Sequence, residues 1–114
     1  MIELIRGDSL SLKFKRLDAQ GQAITTEADE VYFTVKKSYN DTDFILQKTL
    51  SDMTFDNDGT YHISILPEDT EDLMYGKYVY DLEVLVGTDY KKTIAIGDFI
   101  IKEEVTFSSN ESGE

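Results

Sequence analysis

The chain is 114 residues long, the usual size of one domain, and it contains no cysteine, which excludes disulfide bonds, thiolate metal ligands and cysteine nucleophiles. Its 23 acidic and 11 basic side chains give a formal net charge of -12. Such a surface repels nucleic-acid phosphates and anionic membrane faces, so we expect neither a nucleic-acid nor a membrane partner. Charged residues interrupt the apolar start of the chain, which indicates synthesis in the cytoplasm without a secretory signal.

Four segments of alternating apolar and polar residues predict β-strands with one buried and one solvated face. In chain order these segments are residues 9–16, 30–37, 60–66 and 77–86. Clusters of Asp, Asn and Gly at 18–22, 56–59 and 87–89 predict the turns between strands. We therefore predict an all-β fold, an immunoglobulin-like β-sandwich of seven to eight strands.

Residues 67–73 are the helical candidate of the chain. Pro67 suits the first helical position, and the acidic side chains that follow it favour a helix amino terminus. The segment is long enough for only one or two turns. We expect it to cross from one sheet of the sandwich to the other.

The last predicted strand changes parity along its length. Ile94 and Ile96 share one face, whereas Phe99, Ile101 and Val105 share the other. A β-bulge adds one residue and restores the inward face, so we predict a bulge at Gly97–Asp98; a turn into a separate strand is the less economical alternative. We expect the domain to span residues 1–107, and residues 108–114, which include no apolar residue, to form a disordered acidic tail.

The segment "GKYVYD" resembles the tyrosine corner of immunoglobulin domains, in which a Tyr lies two residues before the second core cysteine. Tyr78 would be the corner residue, and Tyr80 would occupy the cysteine position. The alternative is two aromatic residues on an inward strand face without a corner. In either arrangement the two sheets would have to be held together by side-chain packing alone, because the chain contains neither Cys nor Trp.

Two segments raise the question of a chemical site. The stretch "FDNDGTYHI" resembles part of a calcium loop, but it lacks the closing bidentate Glu and the flanking helices, so we interpret it as a turn. His62 is the single histidine and lies on the outward parity of its strand, where we expect a solvated side chain. We therefore predict no catalytic residue, no metal site and no cofactor, and we expect that the protein is not an enzyme.

The tripeptide Arg6-Gly7-Asp8 has the sequence of an integrin-binding motif. It joins two short apolar runs and leaves no room for a long projecting loop. We interpret Gly7 as a bend and Asp8 as the start of the next strand, because a glycine between two strand segments commonly marks a bend.

The order of these motifs resembles the amino-terminal immunoglobulin-like domain of phage baseplate upper proteins of Gram-positive hosts, and small proteins of phage structural gene clusters. In that family a Gly-Asp-Ser/Thr segment precedes the first long strand, a Pro-Glu-Asp-Thr turn precedes a Gly-x-Tyr-x-Tyr-Asp strand, and a Gly-x-Phe bulge precedes a closing Val-Thr. The matching positions are Gly7, Asp8 and Ser9; Pro67, Glu68, Asp69 and Thr70; Gly76, Tyr78, Tyr80 and Asp81; and Gly97, Phe99, Val105 and Thr106.

The resemblance implies a non-enzymatic structural module of a phage or prophage tail or baseplate. Its partners would be other phage structural proteins or copies of itself, and its final location would be the virion. The matching residues define turns and core positions, so they indicate architecture more than role. A carbohydrate- or surface-binding immunoglobulin-like domain is the alternative, because Tyr32, Tyr39, Tyr75 and Tyr90 lie off the inward parity and Tyr is typical of binding surfaces.

Overall fold

Eight strands in two sheets form a β-sandwich in the computed structural model, which describes residues 1–103. The expected domain end at residue 107, the expected tail at 108–114, and Val105 and Thr106 lie outside the described residues. The strands are β1 (Ile2–Ile5), β2 (Leu10–Lys15), β3 (Glu30–Lys36), β4 (Leu46–Thr49), β5 (Met53–Phe55), β6 (Thr60–Ile65), β7 (Gly76–Val86) and β8 (Tyr90–Lys102). The prediction of an all-β sandwich is confirmed.

The strand order is that of an immunoglobulin-like sandwich. One sheet has the order β1-β8-β7-β3-β4, and the other has the order β2-β6-β5. In immunoglobulin nomenclature, β3, β7 and β8 correspond to strands C, F and G, and β4 corresponds to an added C′ strand. In the other sheet, β2, β6 and β5 correspond to strands B, E and D. The first strand departs from the constant-type pattern, because β1 pairs in parallel with β8 and not with β2. The outer edge of β2 is therefore left open.

A four-residue helix connects the two sheets, as the sequence predicts. Helix α1 (Pro67–Thr70) follows β6 of the smaller sheet and leads into β7 of the larger one. It begins at Pro67, where the missing N–H of proline costs no hydrogen bond. The helices within residues 1–103 are too short to span a lipid bilayer.

The core lies between the inward faces that the alternation predicts. The inward residues of β3 and β6 are almost completely buried, and Phe99 and Ile101 of β8 complete the layer. In β7 the prediction holds for Tyr78, Leu82 and Val84, but Val86 is 38 % exposed at the end of the strand. The core residues of β3 and β6 are Val31, Phe33, Val35, Tyr61, Ile63 and Ile65.

The predicted position of the β-bulge is wrong. Strand β8 runs without interruption to Lys102, and its register against β7 shifts between Leu82 and Glu83. Leu82 lies opposite Ala95 and Glu83 lies opposite Thr93, so Ile94 is the extra residue. The bulge is therefore at Ile94, and residues 95 to 101 follow a single parity.

Gly97 has a different role from the predicted one. It lies directly opposite Tyr80 in the β7–β8 pair. A Cβ atom at residue 97 would lie 3.1 Å from Cε1 of the Tyr80 ring. The ring covers the glycine backbone and also packs on Phe33, with the two ring centroids 5.6 Å apart. Glycine at this position therefore makes room for an aromatic side chain.

Candidate functional site

Several residues of the resemblance meet at one corner of the sandwich, where α1 leads into β7. The backbone N–H of Gly7 donates a hydrogen bond to Oγ1 of Thr70 at 3.0 Å, and Thr70 is fully buried. Asp69 accepts the N–H of Leu66 at 2.7 Å, which satisfies a free donor at the start of α1. The same carboxylate lies 2.8 Å from Nζ of Lys48 on β4. The corner is thus tied both to the amino-terminal turn and to the edge of the larger sheet.

The tyrosine residues of β7 extend this corner into the core. The hydroxyl of Tyr78 donates a hydrogen bond to the carbonyl of Met74 at 2.7 Å, which is the geometry of a tyrosine corner. Gly76 begins β7 with a φ of +144°, a backbone conformation that favours glycine. Phe99 is fully buried, with its ring centroid 6.3 Å from that of Phe33. These side chains stabilise the fold and present no reactive group.

Arg6-Gly7-Asp8 lies in the turn between β1 and β2, as the sequence predicts. Asp8 donates its N–H to the carbonyl of Ile5 at 2.9 Å, but β2 begins only at Leu10, so the prediction that Asp8 starts the strand is wrong. The Arg6 guanidinium lies 4.2 Å from the ring centroid of Tyr75. Its two terminal nitrogens donate hydrogen bonds to the Leu73 carbonyl and the Tyr75 hydroxyl. The arginine is held against the corner.

The turn that resembles a calcium loop connects β5 to β6. Gly59 donates its N–H to the carbonyl of Asp56 at 3.0 Å, and Nε2 of His62 lies 2.7 Å from the Asp56 carboxylate. Hydrogen bonds from the side chain and the backbone of Thr60 hold the pKa of Asp58 below its ordinary value. Within residues 1–103 no group of three or more His, Asp or Glu side chains is arranged to hold a metal ion.

The tyrosines of the carbohydrate-binding alternative do not form one platform. The hydroxyl of Tyr39 donates to the carbonyl of Gly97, and the ring of Tyr75 lies against Arg6. Tyr75 precedes β7, whereas Tyr90 pairs with Val86 at the far end of the same strand. The eleven residues of β7 lie between these two positions, and their backbone spans about 35 Å.

One side of the sandwich has open strand edges in both sheets. Strand β1 pairs with β8 only from Phe99 to Lys102, so residues 90–98 of β8 have β7 on one side and no described strand on the other. Strand β2 is likewise an edge. On the opposite side, a short 3-10 helix (Leu50–Asp52) connects β4 directly to β5 and bridges the two sheets. Unpaired edges expose backbone N–H and C=O groups that can pair with another strand.

Two small cavities between these edges are lined by consecutive residues of β2 and β8, and we call them together the edge cleft. The first has a volume of about 150 Å³, and its apolar walls include Leu12 and Phe14 of β2 and Ala95 of β8. The second has a volume of about 110 Å³, and its walls include Arg16, Lys92 and Ile94. Ligand pockets for small molecules are usually about 300 Å³ or larger, so the edge cleft is better suited to single side chains of an added strand.

The edge cleft carries positive charge in an acidic protein. Lys13 and Lys92 form no ion pair within residues 1–103, and Lys15 pairs only with Asp58, at 3.7 Å. Nε of Arg16 is buried and has no hydrogen-bond partner among the described residues. Five of the chain's 11 basic residues lie on β2, at its end, or at the start of β8, namely Lys13, Lys15, Arg16, Lys91 and Lys92.

Comparisons with protein-family models, with curated proteins and with solved structures find no match for this chain. The sequence pattern alone does not predict the edge cleft. Its one available signal was the concentration of basic residues in the segments that became β2 and the start of β8. The open edge itself depends on where the short β1 pairs, and the alternation of residues does not encode that choice.

Proposed function

We propose that this protein is a non-enzymatic structural module of a phage or prophage tail or baseplate, and that it acts through protein-protein contacts. The phage assignment is supported by the order of sequence motifs that resembles baseplate upper proteins. The contact function is supported by one structural observation, the open edges of β2 and β8 around the edge cleft. The protein is made in the cytoplasm and then incorporated into the virion.

The mechanism is addition of a partner strand to an open edge. Backbone N–H and C=O groups of the partner pair with the free edge of β8, and its alternate side chains enter the edge cleft. The backbone bonds supply affinity, while the two small cavities and the basic residues select the partner sequence. A strand of net negative charge is favoured, because Lys13, Arg16 and Lys92 face this side.

The test is to induce the prophages of the source bacterium, purify intact particles on a density gradient, and search them for this polypeptide by mass spectrometry. We expect it in a fixed ratio to tail proteins. Its absence from intact particles, with abundant protein in the induced cells, would contradict a place in the virion. A particle preparation from a strain that lacks the gene provides the matched control.

A further inference from the structure

We propose that the edge cleft binds residues 104–107 of a second copy of this chain, Glu-Val-Thr-Phe, as an added β-strand. The inference deepens the proposed function and rests on it, since it names the partner of the same surface. Each copy would offer an acceptor, the edge cleft, and a donor, the segment that follows β8. The segment lies outside the described residues; its sequence, its distance along the chain from the cleft and the chemistry of the acceptor support the inference.

The donor sequence fits the acceptor in pattern and in charge. Val105 and Phe107 are two residues apart, so in a strand they project from the same face. That face suits the apolar wall formed by Leu12, Phe14 and Ala95. Residues 104–114 contain three Glu and no basic residue. They are therefore complementary to the basic residues around the edge cleft.

The same copy cannot supply this segment to its own cleft. Residues 99–102 of β8 are already paired with β1, so the free edge of β8 ends at Asp98, four residues or about 13 Å before Lys102. Glu104 and Val105 lie two and three residues past Lys102 and can reach at most about 7 and 11 Å, even before the chain reverses direction. Residues 104–107 cannot lie together along the free edge of their own copy. The donor must therefore come from another molecule.

Donation between copies predicts self-association of the full chain. Two copies can exchange segments reciprocally, or successive copies can donate head to tail into a ring or a filament.

The first experiment compares sedimentation velocity of the full chain with that of the double variant Val105→Asp/Phe107→Asp. We expect the full chain to self-associate at high micromolar concentration and the variant to be monomeric. The variant Ser108→Asp/Ser109→Asp adds the same charge just outside the segment and is expected to associate like the parent. A parent chain that is monomeric, or an association that survives in Val105→Asp/Phe107→Asp, would overturn the proposal.

The second experiment uses the Val105→Asp/Phe107→Asp protein as an acceptor with an empty cleft. A fluorescent peptide of residues 103–110 is titrated into it, with a scrambled peptide as the control. We expect saturable binding of the native order only, weakened about fivefold or more by Lys13→Glu/Lys92→Glu. Equal binding of both peptides, or none, would overturn the inference.

The two levels of proposal can fail separately. A protein that occurs in particles but does not bind the peptide retains the proposed function and loses the inference. A protein that binds the peptide and self-associates, yet is absent from particles, retains the inference about its acceptor and loses its place in the virion.

Discussion

At the scale of single residues, Thr70 joins the amino-terminal turn to the corner between the sheets. Its side chain is fully buried and accepts the N–H of Gly7. We expect Thr70→Val to destabilise the protein by about 1–3 kcal/mol, because the Gly7 donor is left without its partner. Thr70→Ser retains the hydroxyl and is expected to cost only about 0.8 kcal/mol for the lost methyl group. Urea unfolding measures both, and equal losses would show that the hydroxyl contributes nothing.

Gly59 and Gly21 have similar backbone conformations, but only Gly59 is closely packed against another segment. Ala substitutions at the two residues therefore separate the cost of backbone strain from the cost of a clash. Both have positive φ, +94° and +82°, so an Ala at either residue adopts a strained backbone. A Cβ at residue 59 would also lie 2.7 Å from the carbonyl oxygen of Ile24, whereas residue 21 has open space. We expect Gly21→Ala to cost about 1–2 kcal/mol and Gly59→Ala clearly more. Thermal unfolding of the two variants checks this, and equal costs would contradict the clash.

For single residues, the sequence predicts local turns correctly, but it does not predict which residues from elsewhere in the chain pack against them. The Asp-Asn-Asp-Gly cluster predicts the turn at 56–59 correctly. It does not predict that the Gly59 backbone packs on Ile24, because that contact depends on how the loop between β2 and β3 folds back. Thr70 is similar, since a Thr after acidic residues looks solvated until Gly7 is placed beside it.

At the scale of elements, the period-two pattern predicts the strands and their inward faces well. The pattern predicts the wrong position for the bulge, and the reason is physical. Ile96 is 61 % exposed, so an apolar residue lies on the outward face and imitates the parity change. The glycine at residue 97 is required by the Tyr80 ring, and only the cross-strand register reveals that requirement.

The ion pair between Lys48 and Asp69 connects β4 with helix α1. Both side chains are largely buried, and Asp69 also accepts the N–H of Leu66. We expect Lys48→Met to destabilise the protein by about 1–3 kcal/mol, because a largely buried carboxylate loses its partner. The double variant Lys48→Met/Asp69→Asn should recover part of the loss, since Asn still accepts the Leu66 bond. A double-mutant cycle by urea unfolding measures the coupling, and additive losses would mean that the two residues act independently.

At the scale of the whole molecule, the pairing of β1 decides which side of the sandwich is closed. Because the four residues of β1 pair only with the end of β8, the start of β8 and all of β2 remain edges. The sequence could not predict this, because a short apolar run such as "IELI" fits either neighbour equally well. The periodicity of apolar residues is enough to predict an all-β fold. Predicting the edge cleft also requires knowing which strands pair with each other.

Excess negative charge should make the stability of the whole molecule depend on salt. The net charge is -12, while ion pairs of the described residues such as Lys15–Asp58, Lys77–Asp98, Lys91–Glu83 and Lys102–Glu3 lie on partly or well exposed side chains and contribute little. Raising the salt from about 10 to 150 mM shortens the screening length from about 30 to 8 Å and weakens the repulsion among carboxylates. We therefore expect the thermal midpoint to rise by about 2–5 °C.

The matched control for this effect is the variant Glu27→Gln/Asp43→Asn/Asp72→Asn, which removes three exposed carboxylates that form no ion pair within residues 1–103. Its midpoint at low salt should exceed that of the parent chain, and its response to salt should be smaller, because less repulsion remains to be screened. A midpoint that falls with salt in both proteins would show that attractive ion pairs dominate the surface. That result would also weaken the electrostatic part of the argument for an acidic occupant of the edge cleft.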